Sequence, residues 1–114
     1  MIFNTDGGAN YGCRWSVDGA AGQSNSTKTS IYGFSGAQTT LDKFIVFDIL
    51  NIASKRKVGI IAGALPLTGA VAGNFSQASF VWNNTADQIS SINMFLIGIV
   101  AMNAGSIVYV FGRD

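Results

Sequence analysis

Gly105-Ser106-Ile107-Val108-Tyr109-Val110-Phe111-Gly112 runs without a charge from its Gly-Ser start to its final glycine. In an extended chain Ile107, Tyr109 and Phe111 fall on one face, and Val108 and Val110 fall on the other. β-Branched and aromatic residues favour a pleated strand. The segment therefore predicts a closing strand that is apolar on both faces. One such face fills a core, and an uncovered second face invites association. Val108, Val110, Tyr109 and Phe111 are thus candidate contact residues between copies, and Trp82 is added to them as a large aromatic next to a polar turn. A homo-oligomer is expected, a trimer by preference.

Upstream, short strand-like runs alternate with turn residues. Asn4 to Gly8 is a turn-rich cluster. Tyr11 to Val17 alternates Tyr11, Cys13, Trp15 and Val17 against smaller or polar residues, and Asp18-Gly19 stops it. Gly22 to Thr27 reads as a polar loop, and Thr29 to Phe34 as a short strand. Leu41 to Ile52 carries the run Phe44 to Leu50, which predicts a strand buried on both faces. Asp48 interrupts that run; it is expected to face solvent or a subunit boundary, or to bond the next turn. Lys55-Arg56-Lys57 predicts a solvated turn, and Val58 to Leu65 its partner strand. Pro66 and Gly69 to Gly73 predict a loop. Asn74 to Trp82 reads as a strand through Phe75, Ala78, Phe80 and Trp82. Asn83-Asn84-Thr85 then turns the chain into a strand from Ile89 to Leu96. About seven or eight strands without a long amphipathic helix place the chain in the all-β class. An antiparallel β-sandwich, jelly-roll-like, is the expected architecture, with residues 1–114 as a single domain.

Composition points the same way. The chain has 114 residues, enough for a core without disulfide staples. Charged residues are 11% of the chain, below half the usual share of about 25%. Much of the surface must then be neutral. Every acidic residue is Asp, and Glu, a common surface residue of helices, is absent. A net charge of +1 gives no pull toward nucleic acid or anionic lipid, so neither partner is expected.

The chemistry-bearing residues are few. There is no His, so a Ser-His-Asp or Cys-His site cannot be built within one chain. Cys13 is the single cysteine, which rules out an intrachain disulfide and a multi-thiolate zinc site. The aspartates are scattered, without calcium-loop spacing. Gly7-Gly8 and Gly19 to Gly22 lack the Lys-Ser/Thr of a phosphate loop. No cofactor, metal or catalytic residue is expected. Tyr11, Trp15, Tyr32, Trp82 and Tyr109 could stack on a sugar, with Trp82 beside Asn83 and Asn84 the clearest case. Met1-Ile2-Phe3 runs straight into Asn4, Thr5 and Asp6, so no signal peptide is expected. Two uncharged stretches, Val58 to Gly73 and Ile92 to Phe111, carry a small membrane protein as a further alternative. Both are broken by Pro, Gly or Asn.

Three stretches in order carry a resemblance. Phe3-Asn4-Thr5-Asp6-Gly7-Gly8-Ala9-Asn10-Tyr11 resembles the F-N-x-D-x-G-x-N-Y opening common in structural proteins of tailed bacteriophages. Trp82-Asn83-Asn84-Thr85, followed by Gln88-Ile89-Ser90-Ser91-Ile92, is similar to their W-x-N-T-x-x-I-T-S-I stretch. Gly105 to Gly112 resembles their G-S-x-hydrophobic-x-L-Y-G ending, with Phe111 where that pattern has Tyr and with Arg113 and Asp114 added. Lys57 sits where the group often has a Lys turn. The resemblance implies a non-enzymatic virion protein: a capsid decoration first, a tail or fibre component next. It implies other virion proteins as partners, such as the major capsid protein, and no catalytic residues. A carbohydrate- or receptor-binding β-module is the main alternative.

Overall fold

A computed structural model describes residues 1–20, 22–31, 44–65, 74–94 and 105–112. They form seven strands and no helix. In chain order these are β1 (Ile2–Phe3), β2 (Tyr11–Val17), β3 (Gln23–Lys28), β4 (Phe44–Leu50), β5 (Lys57–Leu65), β6 (Asn74–Trp82) and β7 (Ile92–Asn93). Five strands form one sheet in the order β3-β2-β6-β5-β4, and β1 pairs with β7 in a second. All pairings are antiparallel. The chain is thus all-β, in two antiparallel sheets compatible with a β-sandwich.

The register sorts side chains into two faces. Tyr11, Trp82 and Lys57 stand in one row across β2, β6 and β5. Cys13, Phe80 and Gly59 form the next row, and Trp15, Ala78 and Ile61 the one after. These positions share the inner face, and most of the buried core comes from them. Phe3 of β1 closes over it, with ring centroids 5.8 Å from Phe80 and 5.5 Å from Trp82. Each such aromatic pair adds about 0.5–1.5 kcal/mol beyond simple burial, so Phe3 is the pin between the two sheets. The opposite face carries Arg14, Ser79, Ile60 and Asp48 in one row.

Gly59 fits this packing because it has no side chain. A Cβ there would collide with the Asp48 carbonyl oxygen and lie 2.5 Å from the Phe80 ring. The Phe80 ring occupies the space a side chain at position 59 would take. At the end of β2, Asp18 (φ 51°) and Gly19 (φ 73°) turn the chain, and the Ala20 N–H donates to the Val17 carbonyl at 2.9 Å. Asp18 also accepts from the Phe75 N–H at 2.7 Å, which ties this turn to β6.

Several expectations are corrected. Residues 105–112 do not form a strand: they belong to neither sheet, and their side chains are exposed. Alternation is a side-chain property, whereas a strand also needs a ladder with a second backbone, and residues 107–112 join neither sheet. The expected loop at Gly22 to Thr27 is largely β3. Its polar sequence hides it, because a run of Gln, Ser, Asn, Thr and Lys shows no apolar period. Thr29 to Ile31 lie outside any strand, although Ile31 and Met1 exchange two backbone hydrogen bonds. Residues 32–34 lie outside the described residues, as do the loop expected at 66–73 and the connection expected at 97–103. Of the strand expected from Ile89 to Leu96, only Ile92–Asn93 pairs, and 95–96 lie outside the described residues. Among the described strands β4 lies at the edge of its sheet, with Phe44, Val46 and Leu50 exposed, and is not buried on both faces. Phe75 lies on the outer face, half exposed, and Ser76 takes the inner place. Lys57 opens β5 and is wholly buried, while Lys55 and Arg56 are exposed as expected.

Candidate functional site

The opening stretch and the Trp82 stretch meet in space. Trp82 has no exposed surface. Its indole Nε1–H donates to Asp6 Oδ2 at 2.7 Å, across 76 positions of sequence. The same carboxylate accepts from Asn10 Nδ2 at 3.0 Å and from the Gly8 N–H at 2.8 Å. Those bonds, the indole's first, hold the Asp6 carboxyl below its ordinary acidity range. A Cβ on Gly8 would come within 3.0 Å of Asp6 Oδ1 and 2.9 Å of Asn10 Nδ2, so a glycine suits this knot.

Tyr11 completes it. Its ring stacks on Trp82 at 6.3 Å and 11°. Its hydroxyl accepts from the Phe3 N–H at 2.9 Å and donates to the Asp6 carbonyl at 3.1 Å. Burial pushes the Tyr11 phenol up, the bond to Phe3 opposes this, and the nearby Asp6 charge adds to it. On the other side of Trp82, Lys57 Nζ stands 5.7 Å from the ring centroid and donates to the Asn84 carbonyl at 3.1 Å. Burying an ammonium costs several kcal/mol. A desolvated cation–π contact returns about 2 kcal/mol. A bond from a charged donor returns about 1.5–3 kcal/mol. The terms roughly cancel, so Lys57 positions the 83–87 turn rather than adding net stability.

Two asparagines replace a missing ladder. Asn4 Oδ1 accepts from the Ser90 and Ser91 N–H groups, and its Nδ2 donates to the Gln88 carbonyl at 2.7 Å. Asn51 Oδ1 accepts from the Ile89 N–H at 2.8 Å, and its Nδ2 donates to the Ile89 carbonyl at 3.1 Å. A side-chain amide carries the same donor and acceptor as a peptide group. Asn4 therefore holds the 88–91 segment from one side and Asn51 holds it from the other. Asn84 Oδ1 caps its own turn by accepting from the Ala86 and Asp87 N–H groups. Asp6, Asn10, Asn4 and Asn84 of the quoted stretches thus spend their side chains on holding the fold.

The apolar candidates lie elsewhere. Val108 is 56% exposed, Tyr109 74%, Val110 82% and Phe111 89%. Tyr109 and Phe111 stack at 6.3 Å and 19°, as residues two apart on an extended chain can. Trp82, the fifth candidate, is enclosed by its own chain, and it is therefore removed from the contact set. The outer face of the five-stranded sheet adds Phe44, Val46, Leu50, Val58 and Ile60, all exposed. A shallow trough of about 600 Å³ crosses that face between Gly12, Arg14, Val58, Ile60, Ser79 and Val81. No aromatic side chain stands exposed in it. Asp48 and Arg14 lie on this face three strand spacings apart, about 14 Å, too far to pair directly. Cys13 is buried. Among the described residues no cluster of His, Cys, Asp or Glu could hold a metal, and no helix is long and apolar enough to cross a membrane.

The reading from sequence missed Lys57, Asn4 and Asn51 as structural centres. Lys57 did carry a signal, because it shares strand parity with Gly59 and Ile61 on the inner face. Asn4 and Asn51 carried none, since their partners lie 38 or more positions away. No protein-family model, curated protein or solved structure matches this chain.

Proposed function

We propose that this chain is a non-enzymatic virion structural protein that self-associates and packs on a phage particle. Capsid decoration is the first assignment and a tail or fibre component the second. The carrying observation is the amount of exposed apolar surface: residues 107–111 and the outer side of β4 and β5. A chain with so few charges gains most by covering such surface against copies of itself and neighbouring virion proteins, such as the major capsid protein. The motif resemblance supports the same reading, since its polar residues serve to interlock the fold. A trimer is the preferred assembly; nucleic acid, membrane and cofactors have no part in it. Purified particles test this directly. Mass spectrometry is expected to find the chain in washed virions, and an electron-microscopy map to place it on capsid lattice positions or on the tail. Its absence from washed particles overturns the reading.

A receptor- or glycan-binding module is the second reading. The stacked, exposed Tyr109–Phe111 pair favours it, while the buried Trp82 withdraws the platform next to Asn83 and Asn84. Binding on a glycan array that is lost in Tyr109→Ala would decide for it.

A further inference from the structure

We infer that residues 105–112 of one copy add as a strand to the open edge of β4 in a second copy. This rests on the self-association reading and names its mode. The five-stranded sheet ends at β3 and β4. β3, Gln-Ser-Asn-Ser-Thr-Lys, is a polar edge of the kind that discourages pairing. β4, Phe-Ile-Val-Phe-Asp-Ile-Leu, has no Pro and no Lys, and its register with β5 is unbroken by a bulge. Among the described residues, no strand pairs with its other edge. The described residues thus leave a straight row of backbone donors and acceptors along it, the usual template for strand addition.

The side chains say what kind of strand fits. On the outer side Phe44, Val46 and Leu50 are exposed, and on the inner side Ile45 is exposed as well. A strand added at this edge continues both faces, so it must be mainly apolar on both; Asp48, exposed in the outer row between Val46 and Leu50, is the one charge of β4 that it would meet. An ordinary half-solvated strand, alternating apolar and polar, would leave one of the two rows uncovered. Residues 105–112 meet the requirement, with Ile107, Tyr109 and Phe111 on one side and Val108 and Val110 on the other. Their eight residues match the seven of β4 in length. In the single chain this segment stands outside both sheets with its side chains exposed. The Tyr109–Phe111 stack already sets the side-chain spacing of an extended strand. Donor segment and acceptor edge are different surfaces, so the contact is head-to-tail. It closes as a ring of copies, a trimer included, or as a reciprocal exchange in a dimer.

Two experiments on the full chain test this. Light scattering on the wild type is expected to give an oligomer, and the double variant Val108→Asp/Val110→Asp a single-chain mass. Both positions are exposed in the single chain, so the double variant is expected to keep its fold, and circular dichroism checks that. Disulfide trapping mixes a Val46→Cys chain with a chain carrying Val108→Cys, Tyr109→Cys or Val110→Cys in turn. A mixed disulfide is expected for at least one register, in yield well above either chain alone. If the oligomer survives the two aspartates and no register cross-links, this mode is overturned while self-association stands. If a chain carrying Val46→Cys and Val110→Cys closes on itself at high dilution, the exchange is overturned in favour of pairing within one chain. A monomeric wild type overturns both the mode and the reading it rests on.

Discussion

At the scale of single residues, this fold leans on small contacts between distant stretches. Gly59 is the tightest of them. Gly59→Ala places a methyl group against the Phe80 ring and the β4 backbone, and both are held by the sheet. A loss of about 1–3 kcal/mol is expected, the cost of overpacking a filled core. It is measured as a shift in the urea midpoint. Asp6 gives a pH signature. Its folded carboxyl lies below the ordinary 3.8, held there chiefly by the Trp82 indole. A depressed acid contributes stability above its unfolded pKa and loses it as pH falls through the folded value. Wild-type stability is therefore expected to drop as pH falls below about 4. Asp6→Asn should be less stable than wild type at neutral pH, and the gap should close in acid. Chemical denaturation at a series of pH values checks this, and a gap constant from pH 7 to pH 2 would contradict it.

At the scale of elements, the informative contrast lies between segments held by ladders and segments held by side chains. β2, β6 and β5 pair over their full shared lengths, and their inner rows form the core. Among the described residues, 88–91 are held by the amides of Asn4 and Asn51 and one backbone bond, from the Asn4 N–H to the Ser91 carbonyl. Asn51→Ala is expected to free the Ile89 N–H, whose hydrogen exchange should rise well above that of the neighbouring β6 amides. Overall stability should fall by only about 1 kcal/mol, because these bonds are exposed and water replaces them. Unchanged exchange at Ile89 would mean that this segment is held by something other than the asparagine.

At the scale of the whole molecule, the balance of charge and apolar surface decides behaviour. Charged residues are 11% of the chain, and large side chains at Phe44, Val46, Leu50, Ile60 and in residues 107–111 stay exposed. Association that covers them stabilises the folded state by mass action. The melting temperature is therefore expected to rise with protein concentration, by several degrees over a hundredfold range, as calorimetry or circular dichroism would record. A melting temperature independent of concentration would argue for a chain that keeps its apolar face to solvent. Higher salt should change this association little, since few charges take part.

The sequence by itself determined the class and most of the ladder. Tyr11–Val17 and Asn74–Trp82 are strands with the bounds their alternation predicts, and Val58–Leu65 gains only Lys57. Period-two patterning is local, and a half-buried strand writes it into its own residues. Tertiary structure decided the rest. Lys57 became a core residue because the Asn84 carbonyl, 27 positions on, meets its ammonium while Trp82 covers its stem. Trp82 left the contact set because Asp6, Tyr11 and Phe3 close around it. The polar β3 formed because β2 offered it a free edge, which no property of its own residues announces. The closing segment from Gly105 to Gly112 has every local mark of a strand and is not one, for the same reason in reverse. A strand is a relation between two backbones, and the second backbone is never written in the first one's sequence.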